Sequence, residues 1–143
     1  MSIECEQFDP KNATSVAEWY RSVMVKRGYE IDFTLNDISL LDRYCEEVLW
    51  EMDQSTEPFF KEDTAFIAYV GEVMVRNTNA VWIGNFDLYT YMANYYETAI
   101  AISDKFVKTP GRLTYKVSNK SPDESIAENV RETIEEMNEI QPV

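Results

Sequence analysis

EDTAFIAYVGEVMVRNTNAVWIGNF, residues 62–86, changes its periodicity part-way along, and that change decides the fold class. Up to Arg76 the apolar residues Phe66, Ile67, Tyr69, Val70, Val73 and Met74 recur at helical steps. They cover so much of the circumference that the helix they predict, about 62–78, belongs at the centre of the domain. Gly71 in its middle costs roughly 1 kcal/mol relative to alanine, and a glycine kept in such a place usually marks the close approach of another backbone or a large ring. From Ala80 to Phe86 the residues become β-branched and aromatic, which predicts a strand broken at Gly84-Asn85. A helix giving way to short strands predicts an α+β domain.

Two further helices are expected upstream. Ser15 and Glu18 have capping-box spacing, and Val16, Trp19, Tyr20, Val23 and Met24 share one helical face, so a first helix is expected over 15–27 with Gly28 ending it. A second spans about 36–53, with Ile38, Leu41, Cys45, Val48, Leu49 and Met52 on one side and mostly charged residues opposite. Downstream of the turning point, residues 98–103, 105–109 and 112–118 read as strands. Lys105–Lys108 and Leu113–Val117 on either side of Pro110-Gly111 suggest a hairpin. Residues 87–96 fit a strand or an ordered loop equally well. Ser121-Pro122-Asp123-Glu124 combines an N-cap, a first-turn proline and a capping acid, and so opens a last helix in which Ile126, Val130, Ile134 and Met137 face inward. The expected architecture is about three N-terminal helices, a small antiparallel sheet of about four strands and a C-terminal acidic helix. Residues 1–143 form a single domain, with 1–13 and 141–143 as loose ends.

A chain of 143 residues with 45% hydrophobic and 13% aromatic residues can bury a core without disulfides or metals to staple it. The absence of a long apolar run and of a basic, apolar N-terminus predicts a cytoplasmic protein. In that compartment Cys5 and Cys45 are expected as free thiols. Thirteen basic residues against twenty-six acidic ones give a net charge of −13. Such a field repels nucleic acid and anionic membranes, so neither is an expected partner. The charge is uneven: residues 1–60 carry thirteen acids and five bases, 61–120 six and seven, and 121–143 seven and one.

Catalytic patterns are missing. The chain has no histidine, which removes the commonest general base and the usual zinc ligand. Its four glycines form no phosphate-cradling loop, and its acids do not follow a calcium-loop spacing. The expectation is therefore a protein that is not an enzyme, with no cofactor and no metal. Glu72, four residues before Arg76 within an apolar helix, reads either as a buried acid in a site or as an ordinary i,i+4 ion pair, the latter being the commoner outcome of that spacing.

Two groups suit protein recognition. The aromatic run Trp82, Phe86, Tyr89, Tyr91, Tyr95 and Tyr96 contains the residue types that dominate interface hot spots, although in a small sheet they also serve as core. The last helix places Glu128, Glu132, Glu135, Glu136 and Glu139 outward. Phe66 to Val73, with its Tyr-Val-Gly-Glu-Val centre, followed by Trp82 opening a strand, resembles a family of small bacterial domains of unknown function found among polymorphic-toxin immunity proteins. The segment from Lys108 to Ile126 is similar too. That resemblance implies an α+β fold and a role beside a secreted toxin. Joined to the acidic surface, it predicts a cytoplasmic immunity protein that neutralises a cognate toxin domain with a basic surface. The candidate partner-binding residues are Tyr89, Tyr91, Tyr95, Tyr96 and the five helical glutamates. An adaptor or assembly subunit acting through exposed aromatics is the alternative.

Overall fold

The structure is a computed structural model, which describes residues 4–5, 10–40, 59–60, 62–87, 96–103, 106–108, 110 and 126–142. The elements in chain order are β1 (Glu4–Cys5), α1 (Ala13–Lys26), α2 (described over 35–40), β2 (Phe59–Phe60), α3 (Glu62–Arg76), β3 (Val81–Asp87), β4 (Tyr96–Ser103), β5 (Phe106–Lys108) and α4 (Ile126–Ile140). The fold is mixed helix and sheet, as the change of period at residues 76–80 requires.

α3 sits at the centre. Ala65, Phe66, Ala68, Tyr69, Val70, Val73 and Met74 are all buried, leaving only Ile67 and Val75 partly exposed among its described apolar residues. α1 lies against it through Val16, Ala17, Tyr20 and Met24, and α4 and β4 also meet it. The ring of Tyr20 tilts onto Phe66 and Tyr69, with centroids 6.2 and 5.5 Å away. Burial of side chains of this size stabilises by about 1.5–3 kcal/mol each, so the α1–α3 seam is a principal source of stability.

α1 begins at Ala13 with Asn12 in the N-cap position, two residues before the expected start. Ser15 and Glu18 therefore lie within the helix instead of capping it. The reciprocal capping box forms one helix later: Thr34 Oγ1 accepts the Asp37 N–H at 3.3 Å, and the Asp37 carboxylate accepts the Thr34 N–H at 2.8 Å. Gly28 ends α1 as expected. Its φ is +98°; its own N–H reaches the Val25 carbonyl, and the Tyr29 N–H reaches that of Met24, which also accepts the Arg27 N–H.

β3, β4 and β5 form an antiparallel sheet in that order, with Trp82 opposite Ile100 and Ala101 opposite Val107. Among the described residues this sheet has three strands instead of about four; the strand expected over 112–118, and with it the hairpin across Pro110-Gly111, lies outside them. The described partner of β5 is β4. Gly84-Asn85 does not break the strand. Ile83 pairs with Ala99 and Asn85 with Thr98, so Gly84 is an extra residue in a β-bulge and the strand continues to Asp87. A glycine accommodates the local kink without a Cβ to place. Glu4–Cys5 pair in parallel with Phe59–Phe60, a contact within the stretch 1–13 expected as a loose end.

Candidate functional site

Two polar arrangements stand out. The first is built on Glu72, a carboxylate that is 2% exposed. Its side chain meets residues of both α1 and β3. Thr14 of α1 donates its hydroxyl to both carboxylate oxygens, at 2.8 and 3.3 Å, and Trp82 of β3 donates its indole N–H at 3.1 Å. The expected i,i+4 pair is present as well, with Arg76 Nε 3.5 Å from Oε2. The ion pair is thus one of three contacts, and the carboxylate joins three elements. Arg76 extends the cluster outward to Glu18 at 3.3 Å and lays its guanidinium over the Phe33 ring, 3.7 Å from the centroid.

Trp82 reaches Glu72 because residue 71 has no side chain. A Cβ there would lie 2.1 Å from the Trp82 ring and 2.8 Å from the Pro110 ring, so Gly71 marks the close approach of a large ring. Trp82 itself is half-buried against the core. Donors from three directions hold Glu72 in place, and burial of a charged group is tolerable only when it is bonded in this way. The arrangement ties α1 and β3 to α3.

A second buried carboxylate does similar work at the α1–α2 turn. Asp37 Oδ2 accepts from the Asp32 N–H at 2.7 Å, the Thr34 N–H at 2.8 Å and the Tyr69 hydroxyl at 2.8 Å. Tyr69 in turn accepts the Phe33 N–H at 2.8 Å and stacks on the Phe33 ring at 4.8 Å. Phe33 adopts φ +59°, a left-handed conformation that a bulky residue rarely takes. The hydrogen bonds on both sides of it and the stacked rings hold it there. Burial, reinforced by the bond to Asp37 and its charge, pushes the Tyr69 hydroxyl well above its ordinary pKa, against a smaller opposing effect of the Phe33 N–H.

The second arrangement is the outer face of α4. Ile126, Val130, Thr133, Ile134 and Met137 are buried, and all five expected glutamates are exposed. Their roles differ. Arg131 binds Glu128 at i−3 and Glu135 at i+4. Its hydrogen bond holds the Glu128 carboxyl below the usual carboxylate range, and that same bond raises the guanidinium. Glu132, Glu136 and Glu139 have no ion pair among the described residues, and their spacing of four and three places them in one row. The last turn of α4 contains no basic residue, so Glu139 adds to the negative end of the helix dipole.

The structure therefore brings the five candidate glutamates onto one helix surface. Tyr89, Tyr91 and Tyr95 lie outside the described residues, and Tyr96 opens β4 opposite Asp87. Apart from Arg76, the side-chain partners of the buried acids are not legible in the sequence. Thr14 is 58 residues from Glu72 and Tyr69 is 32 from Asp37, separations at which local spacing carries no signal. Among the described residues no group of three or more His, Cys, Asp or Glu side chains is arranged to hold a metal ion, and no helix is long and apolar enough to cross a membrane. Comparison with protein-family models, curated proteins and solved structures finds no match to this chain.

Proposed function

We propose that the protein is a non-catalytic cytoplasmic binding protein that neutralises a cognate bacterial toxin domain by setting the outer face of α4 against a basic surface of that toxin. The observation that carries this reading is the row Glu132, Glu136 and Glu139, without an ion pair among the described residues, on a helix whose opposite face is anchored in the core. Carboxylates already paired in the free protein must lose a partner to gain one. These three have no described partner to give up, which suits rapid, electrostatically steered encounter. The resemblance of residues 66–82 to domains found among immunity proteins points the same way. Tyr96 and the neighbouring Tyr89, Tyr91 and Tyr95 supply the hot-spot residue types that would hold a complex once charge has assembled it.

The test compares the tagged protein with its Glu132→Gln/Glu136→Gln/Glu139→Gln variant in affinity capture from the host's lysate at low and moderate salt, followed by association kinetics with the purified captured domain. The expected result is one stoichiometric toxin domain with a basic surface, bound less well as salt rises, whose association with the variant is on the order of tenfold slower or more. Inhibition of that domain's toxicity by the unmodified protein completes the case. Capture that is indifferent both to salt and to the three substitutions would overturn this reading and favour constitutive association through aromatic residues.

A further inference from the structure

We draw no further inference here: the strongest candidate, the unpaired carboxylate row Glu132, Glu136 and Glu139 on the outer face of α4, belongs to the surface already proposed for toxin binding, and nothing in the structure beyond that acidic cluster itself shows what covers it.

Discussion

Glutamine at position 72 would keep the shape of the buried side chain while removing its charge, and would turn one acceptor atom into a donor. An amide nitrogen at the Oε1 position faces both Thr14 and Trp82, and one at the Oε2 position faces Arg76; in either case Arg76 loses its ion pair. Hydrogen bonds to a charged group contribute about 1.5–3 kcal/mol, so Glu72→Gln should lower unfolding stability by about that amount in urea titrations. An unchanged midpoint would mean that the carboxylate is incidental to the fold. Gly71→Ala tests the same junction sterically. Alanine favours the helix by about 1 kcal/mol, but its Cβ meets the Trp82 ring at 2.1 Å. Overpacking of this kind costs about 1–3 kcal/mol, so the net effect should be a loss of stability with a changed tryptophan emission. Tyr69 gives a prediction in pH. Its hydroxyl has a raised pKa in the folded protein, so its neutral form contributes stability that is present in full below the ordinary tyrosine value of 10 and is lost as pH climbs above it. Tyr69→Phe should flatten that alkaline fall in stability, measured by urea midpoints from pH 8 to 11. It should also lower stability at neutral pH by about 1–3 kcal/mol, because the Phe33 N–H loses its acceptor.

Helices are easier to read from a sequence than their beginnings, and strands easier than their partners. The apolar faces of α1, α3 and α4 follow from side-chain period alone, and Gly28 marks the end of α1 because a left-handed residue is needed there. The sequence places the start of α1 two residues late because Ser15-x-x-Glu18 has the spacing of a capping box without the position of one. Thr34-x-x-Asp37 has both, and the buried Tyr69 hydroxyl that completes it comes from a distant helix. Gly84 read as a strand break because a bulge and a turn both select glycine, and only pairing with β4 distinguishes them. A two-residue parallel pair such as β1–β2 is too short for any period to show. Of the candidate site, the exposed face of α4 was legible, but the division of its acids into paired and unpaired was not foreseen, although i−3 and i+4 spacing about Arg131 contains it. Glu139, in the last turn and without an ion pair among the described residues, works against the helix dipole. Glu139→Lys should therefore stabilise the protein by about 0.3–1 kcal/mol, read as a higher melting midpoint at low salt. By the proposal above, it should weaken toxin binding at the same time.

That opposition between stability and recognition also holds for the molecule as a whole. A net charge of −13 on 143 residues is self-repulsive, and compaction brings like charges closer than the unfolded chain does. Ion pairs oppose this only locally, because the exposed Arg131 pairs are worth little in water and are themselves weakened by salt. The two effects have opposite salt dependences, so the sign of the response identifies the larger. With acids outnumbering bases two to one, repulsion should dominate, and the melting temperature should rise as sodium chloride increases from about 10 to 150 mM, a change that shortens the screening length from roughly 30 to 8 Å. The Glu132→Gln/Glu136→Gln/Glu139→Gln variant should melt higher than the parent at 10 mM and gain less from added salt, since it has already lost part of the repulsion that salt screens. If melting temperature instead falls with salt, the pairs outweigh the field, the acidic face costs the fold nothing, and its retention says nothing about a partner. If it rises and the variant closes the gap, the row is a standing cost to folding, which solubility or the proposed binding of a basic protein surface would offset.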